Sequence, residues 1–413
     1  MPLPLFLPCA AGVEQWLAEE VTRCLPASAV RVQRGGVALQ GEALEVMTLN
    51  LESRLAQRVL MEVAHAPYLH EQELYDLARQ VDWTEWITPD QTIRVDVTAH
   101  RSPLKSLNFA ALRVKDAVCD AMREATGDRP NVDTRHADLS LVLHLGPDHA
   151  SLYIDASGEP LFKRGWREDK GDAPLKETLA AALLAAAGWQ GEPDAGGALL
   201  YPCCGSGTIV IEAAQMACRI APGLRRRFAF ERLIPFQSTE CKTQWQQLKA
   251  QAKGRIRPSP VPIYGSDVSF RMVDFAHRNA ERAGVEQAIT FNGGDALERP
   301  APALPFDLCG TLIINPPYGE RIDVTGKAGT GLANESHLGP NKSLSDDFFS
   351  RLATHWKRAY TGHPAGWTAY VLSPDMKLPT AMRFKESQRI PMWNGRIECR
   401  LYRFELVSGS LRS

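Results

Sequence analysis

Apolar residues recur at two spacings along this chain, and the change from one regime to the other divides it. An apolar stretch from Leu3 to Pro8 leads into Gly12–Val21, where apolar positions fall at helical spacing, and then into Ala29–Gln33 and Gly36–Leu39, two strands about a glycine turn. From Leu44 to Asp155 the pattern predicts helices over Leu51–Val63, Glu71–Gln80 and Asn108–Ala125, and strands over Thr92–Thr98, Leu139–Leu145 and Ala150–Asp155. These strands alternate apolar and polar positions, so helices should cover one face of their sheet. Ser157, Gly158, Pro160, Gly165 and Gly171 punctuate a polar stretch from Asp155 to Asp172, where the domain connection is expected. An alanine-rich helix begins near Asp172, carries Pro174 in its first turn, runs through Leu175–Ala187 and stops at Gly188. Strands and helices then alternate: strand Ala198–Tyr201, helix Thr208–Ala217, strand Val261–Tyr264, helix Ser269–Ala283, strands Ile289–Asn292 and Leu308–Ile314, helix Ser345–Tyr360 and strand Gly366–Leu372. The alternation predicts an α/β domain with a mostly parallel, doubly wound sheet, closed by an antiparallel strand over the strictly alternating Arg396–Leu406.

Length and composition narrow the class without choosing a function. At 413 residues two or three domains are expected, and 44% hydrophobic with 23% charged residues describes an ordinary globular chain. The longest apolar run, near Leu179–Trp189, is well short of the ~20 residues a membrane span requires, and no secretory leader pattern opens the chain. A cytoplasmic protein with no membrane partner is the expectation. Nine scattered cysteines without a CxxC pair argue for reduced thiols, and neither they nor His136, His144 and His149 show metal-ligand spacing, so no metal is expected. A net charge of −1 gives no global push toward nucleic acid. One local exception is Arg225-Arg226-Arg227 followed by Phe228 and Phe230, where guanidinium groups suit phosphates and rings suit bases; a solvated loop with its phenylalanines packed inward fits the same residues.

Four strand ends carry the chemistry. Leu199 to Thr208 reads as a strand ending in Pro202-Cys203-Cys204-Gly205-Ser206-Gly207 and opening a helix at Thr208. In a doubly wound sheet a nucleotide-like ligand lies at such a place, where glycines admit close approach and helix amides face its negative groups; a plain tight turn is the alternative. The next strand ends in Gly265-Ser266-Asp267, which puts a carboxylate where a ribose is held, or an N-cap on the following helix. A third ends in Gly293-Gly294-Asp295. The fourth, Asn315-Pro316-Pro317-Tyr318, is the most specific: the prolines fix the backbone, so the Asn315 amide and the Pro316 carbonyl can accept from an exocyclic amine while the Tyr318 ring stacks on its base.

Asn315 to Tyr318 resembles the (Asn/Asp/Ser)-Pro-Pro-(Tyr/Phe) motif of S-adenosylmethionine-dependent amino-methyltransferases, and Pro202 to Thr208 resembles their glycine loop. With Asn108–Ala117, Arg129–Asp133, Arg164–Arg167 and Lys176–Ala182, the chain resembles nearly throughout the THUMP-containing 23S rRNA guanine-N2 methyltransferases of the RlmL type. The resemblance implies an N-terminal ferredoxin-like region (1–42), a THUMP RNA-binding domain (43–157) and a Rossmann-like methyltransferase domain (158–413). It implies S-adenosylmethionine held by Pro202, Cys204, Gly205, Ser206, Gly207, Thr208, Asp267, Asp295 and Thr178, and catalysis by Asn315, Pro316, Pro317 and Tyr318. It further implies 23S rRNA or a large-subunit assembly intermediate as partner, contacted by Arg113, Lys115, Arg164, Arg167, Arg225, Arg226 and Arg227. Some similar proteins continue into a second methyltransferase domain acting at guanine N7, so only the guanine-N2 activity is carried over.

One departure stands out: Tyr201 occupies the place where similar proteins have an aspartate that anchors the cofactor's amino group. Two other readings follow from the same residues, an adenine-N6 methyltransferase and a catalytically weak RNA-binding assembly factor. The segment Ile322–Leu344, rich in Gly, Ser, Asn and Lys, is expected to be a lid over the substrate base.

Overall fold

The computed structural model describes residues 2–171, 174–316 and 344–407, which divide into two compact units. The predicted lid, Pro317 and Tyr318 lie outside the described residues.

The first unit comprises Met1–Cys9, Val13–Lys163 and Ala221–Gly254. It is built on one sheet with strand order β2-β3-β1-β4-β8-β7-β5-β6, where β1 is Leu3–Pro8, β2 Arg31–Gln33, β3 Gly36–Gly41, β4 Leu60–Pro67, β5 Thr92–Ala99, β6 Asn131–Val132, β7 Leu139–Leu145 and β8 His149–Asp155. Helices α1 (Glu14–Cys24), α2 (Ala43–Glu52), α3 (Glu71–Arg79) and α4 (Leu107–Thr126) bury their apolar stripes, with Leu17, Val21, Val46, Leu49, Leu74, Leu77, Val114 and Val118 all inaccessible to solvent. β4 pairs with β1 on one side and β8 on the other, so the strands expected of two separate regions form a single sheet.

The helix expected over Leu51–Val63 ends instead at Glu52, and Leu60–Pro67 is a strand. The reason is Glu20. Its buried carboxylate accepts from the Ser53 hydroxyl at 2.6 Å and from the backbone N–H groups of Arg54 and Leu55 at 3.1 and 3.2 Å. Those amides cannot also continue the helical ladder, so a residue more than thirty positions away stops α2.

The second unit comprises Ala10–Gly12, Arg164–Ile220 and Arg255–Ser413, with helices α5 (Glu177–Ala186), α6 (Thr208–Ala217), α8 (Phe270–Ala283), α9 (Leu344–Ala359) and α10 (Leu378–Met382). Its sheet has the order β11-β10-β9-β12-β13-β15-β14, with β9 at Ala198–Tyr201, β10 at Ile263–Asp267, β11 at Ile289–Gly293, β12 at Gly310–Ile314, β13 at Trp367–Ser373, β14 at Gln388–Asn394 and β15 at Ile397–Leu406. The first five are parallel, and β15 pairs antiparallel with both β13 and β14. This is the doubly wound sheet with an antiparallel end that the alternation predicts, with β14 added as its outer strand.

Chain order reverses at β9, which lies between β10 and β12, and a crevice therefore opens beyond its carboxyl end. Register brings the strand ends level: Tyr201 opposes Gly265, Asp267 opposes Gly293, and Ile314 opposes Val371.

The segment Ala221–Gly254 leaves the second unit's chain path and packs in the first, where it forms helix α7 (Thr239–Gly254). Phe228 and Phe230 stack at 5.5 Å between ring centroids, and both meet the Trp245 ring edge-on. The two phenylalanines are core residues, which decides between the two readings of the Arg225–Phe230 stretch as far as its rings are concerned.

Candidate active site

The glycine turn after β9 is held from three sides. The Asp267 carboxylate, at the end of β10, accepts from the Gly205 N–H at 2.8 Å, and the Cys204 N–H donates to the Ser266 carbonyl at 2.8 Å. Gly205 has φ +51° and Gly207 φ +90°, values that exclude a comfortable L side chain. At Gly207 a Cβ would also lie 3.0 Å from the Ala276 methyl of α8, so the turn sits directly on that helix. At Gly205 a Cβ would meet nothing within 4 Å, which leaves open space above the turn at the N-terminus of α6. Room and a positive helix end are what the carboxylate end of an amino-acid-bearing ligand needs.

Asp267 is not the N-cap of α8, which is Ser269; its carboxylate instead braces the backbone on both sides. One oxygen ties down Gly205, and the other accepts from the N–H of Ser269, the N-cap residue of α8. Burial raises its pKa above the ordinary carboxylate value, opposed by these two N–H donors. Each oxygen keeps lone-pair capacity for ribose hydroxyls. Asp295 is buried at the same edge and accepts from the Leu297 N–H at 2.9 Å.

At the end of β12 the Asn315 side-chain oxygen is buried without a hydrogen-bond partner among the described residues. Its backbone carbonyl accepts from the Tyr201 hydroxyl at 3.4 Å. Burial lifts the Tyr201 pKa far above its usual range, so the phenol stays a neutral donor and offers no negative charge to a cofactor ammonium. The residue that departs from the expected aspartate therefore leans on the substrate motif. Burial and the carboxylates of Asp267 and Asp295 also push the Cys203 thiol up, which keeps it protonated and unsuited to nucleophilic chemistry. Cys204 and Ser206 are buried in the turn, and Thr178 is buried in the first turn of α5. Among the described residues no group of His, Cys, Asp or Glu is arranged to hold a metal.

Three of the expected RNA contacts are corrected. Arg164 is buried, and its guanidinium pairs with the fully buried Glu212 of α6 at 3.0 Å. Arg167 donates to Glu177 at 2.9 Å, to the Leu175 carbonyl at 3.0 Å and to the Thr208 hydroxyl at 2.8 Å, so Thr208 turns its side chain toward Arg167. Arg226 sits in a ring of carbonyls from Ser157, Glu159, Pro160 and Lys163. None of these three can reach a phosphate without breaking what it holds. Arg225 and Arg227 are exposed. Arg113 is half-buried, lies over the Tyr75 ring and donates to Gln72, while half-buried Lys115 pairs with Asp116.

Sequence reasoning also missed Asn279 and Arg282 of α8. Asn279 donates to the Ser206 carbonyl at 3.0 Å, and Arg282 donates to Asp169 and to the Trp166 carbonyl. A signal for the buried pairs was present: Glu177 and Glu212 stand inside otherwise apolar helices, and a carboxylate there requires a cation.

Three family models match the chain: an RlmL ferredoxin-like domain over residues 4–60, a THUMP domain over 68–155, and an RMKL-like methyltransferase domain over 164–335. Among curated proteins it is 36% identical over 411 residues to a Ribosomal RNA large subunit methyltransferase K/L from Psychromonas ingrahamii, covering 98% of this chain and 50% of the relative. A protein of the same name from Shewanella baltica is 34% identical, over 99% of this chain and 54% of the relative. The chain thus spans about half the length of the curated relatives it matches. Among solved structures it is similar to a protein described as a possible methylase from Clostridium difficile 630 (TM-score 0.82, 25% identity, all of both chains) and to SMU.472, described as a putative methyltransferase complexed with SAH (TM-score 0.81, 25% identity, 100% and 99% covered). A protein described as a predicted N6-adenine-specific DNA methylase from Listeria monocytogenes superposes with a TM-score of 0.79 at 27% identity, over 98% of this chain and 96% of that one.

Proposed function

Because the chain belongs to the THUMP-containing, RlmL-type methyltransferases, with S-adenosylmethionine as cofactor, we propose that it methylates the exocyclic N2 amine of a guanine in large-subunit (23S) rRNA. The observation that carries this reading is the Asn315 side-chain oxygen, buried and without a partner among the described residues at the edge where the glycine turn, Asp267 and Asp295 converge. A buried acceptor without a donor costs free energy of about 1–3 kcal/mol, and an amine N–H arriving there recovers it. The THUMP domain supports RNA as the substrate class, and the relatives' name supports ribosomal RNA of the large subunit.

The residues fit the cofactor. The Gly205–Gly207 turn and the α6 N-terminus would hold its carboxylate end, Asp267 its ribose hydroxyls and Asp295 its adenine amine, with Pro202, Cys204 and Thr178 shaping the walls. When bound, S-adenosylmethionine supplies an electrophilic methyl group on a sulfonium. The chain's own part is orientation. Asn315 and the Pro316 carbonyl accept from the guanine amine and turn its lone pair out of the ring plane; Pro317 and Tyr318, the rest of the motif, lie outside the described residues. No strong base is needed, because the proton departs after methyl transfer.

The test is transfer of labelled methyl to protein-free large-subunit rRNA from cells lacking this protein, followed by nucleoside identification. N2-methylguanosine is the expected product, and Asn315→Ala should abolish labelling while leaving SAH affinity within about twofold. N6-methyladenosine would replace the substrate base, and absence of both labelling and SAH binding would leave the assembly-factor reading.

A further inference from the structure

We propose that Asn279 is a positioning residue of the cofactor turn, setting affinity for S-adenosylmethionine through its hold on the Ser206 carbonyl. The inference rests on reading Gly205–Gly207 as the cofactor turn.

Asn279 is completely buried on α8, and every hydrogen-bonding position of its amide is used. Its Nδ2 donates to the Ser206 carbonyl at 3.0 Å and the Asp169 carbonyl at 2.8 Å. Its Oδ1 accepts from the backbone N–H groups of Glu168 and Asp169, both at 3.3 Å, and from the Arg282 guanidinium at 2.6 Å. Two carbonyls on one side and three donors on the other admit only one orientation of the amide. No other side chain is both small enough for the site and able to donate twice and accept on the opposite side.

The turn needs such a hold. Ser206 lies between two glycines with positive φ, and neither offers a side chain by which the turn could be packed. Steric packing therefore does little to fix the turn, and a shift of it would re-aim the α6 N-terminal amides that follow it. Asp267 holds the Cys204–Gly205 peptide through the Gly205 N–H, while the Ser206–Gly207 peptide is held at its N–H by the Cys204 carbonyl at 2.9 Å and at its carbonyl by Asn279, the one side chain outside the turn that grips it among the described contacts. Ala276, one helical turn earlier on the same face of α8, supplies the floor beneath Gly207. The same amide also ties in the 168–169 backbone, so the stretch that follows Arg164 is coupled to the turn rather than being a passive linker.

The discriminating substitution is Asn279→Asp. It is isosteric, and the Arg282 guanidinium keeps the new carboxylate ionised, so it accepts everything Asn279 accepts but can donate to neither the Ser206 nor the Asp169 carbonyl. Calorimetric titration with SAH should show wild-type binding and a dissociation constant about tenfold higher for Asn279→Asp at pH 8, as the Ser206 carbonyl loses its buried donor. The Michaelis constant for S-adenosylmethionine should rise in step, while kcat at saturating cofactor stays within about twofold. On acidification the gap should narrow as the carboxyl gains a proton to donate. Asn279→Ala should weaken binding at every pH alike. A residue that merely supported the fold would lower the active fraction, and hence kcat, with affinity and its pH dependence unmoved; that outcome, or wild-type affinity in Asn279→Asp, overturns the inference. Failure of the wild-type protein to bind SAH would instead overturn the reading of the turn. Should the variants not fold, hydrogen exchange in the wild-type protein decides. Amides 205–207 and 168–169 should gain protection together on adding SAH, and protection of the turn alone would count against the coupling.

Discussion

At the scale of single residues, the candidate site was largely legible because its motif residues are constrained by backbone chemistry: glycines where φ is positive, a proline that follows a buried strand, carboxylates at strand ends. What could not be read was the second partner of each group. Asp267 makes the point quantitatively testable. Its carboxyl is buried and its pKa raised while it holds Gly205 and Ser269, and the proposed contact with ribose hydroxyls would add donors that favour the ionised form. The pKa lies above the ordinary carboxylate value in the free protein and falls when hydroxyl donors arrive, so SAH binding should release a proton in mildly acidic buffer and weaken as pH drops through that range. Calorimetry in buffers of different ionisation enthalpy measures the release. Asp267→Asn should bind SAH at least about tenfold more weakly and show no pH dependence there; a wild-type affinity that stays flat on acidification down to the onset of acid unfolding would refute the assignment. Tyr201 was legible only as an anomaly, since nothing in a sequence says that its hydroxyl reaches the Asn315 carbonyl.

Elements show where the reading of charge went astray. A basic residue in a matched stretch reads as a nucleic-acid contact, yet Arg164, Arg167 and Arg226 are consumed by carboxylates and carbonyls inside their own units. Arg164 and Glu212 join the segment before α5 to the body of α6, with both side chains essentially inaccessible. Removing one partner leaves a buried charge uncompensated, so Arg164→Ala should cost about 3–5 kcal/mol in denaturant unfolding. Replacing both, as Arg164→Met with Glu212→Leu, should recover most of that loss, because neither charge then remains to be desolvated. If the double variant is as unstable as the single one, the pair is not what joins these elements. The same physics explains α2: its end is set by a carboxylate of α1, and no local pattern around Ser53 announces it.

For the molecule as a whole, alternating strands and helices disclosed the doubly wound sheet, because each element there answers to its own periodicity. The route of Ala221–Gly254 was hidden, because which core a helix joins depends on contacts distant in sequence. The Gly223 N–H donates to the Leu51 carbonyl at 2.9 Å and the Phe230 N–H to the Ala156 carbonyl at 3.0 Å, both within the first unit. Where the segment departs and returns, the Arg257 N–H donates to the Cys218 carbonyl at 3.0 Å, so the two ends of the excursion are adjacent in the second unit. A fragment of residues 164–413 would strand the aromatic surface of Phe228, Phe230 and Trp245 without its core, and should associate on size-exclusion chromatography. The same fragment with 221–254 replaced by a short Gly-Ser bridge should elute as a monomer and bind SAH within about threefold of the whole chain, since every described contact of the glycine turn, Asp267 and Asn279 lies inside that unit. It should also methylate protein-free rRNA poorly, because the THUMP domain is gone. Were the unbridged fragment equally monomeric and stable, the segment's loyalty to the first unit would be a matter of proximity rather than of packing energy.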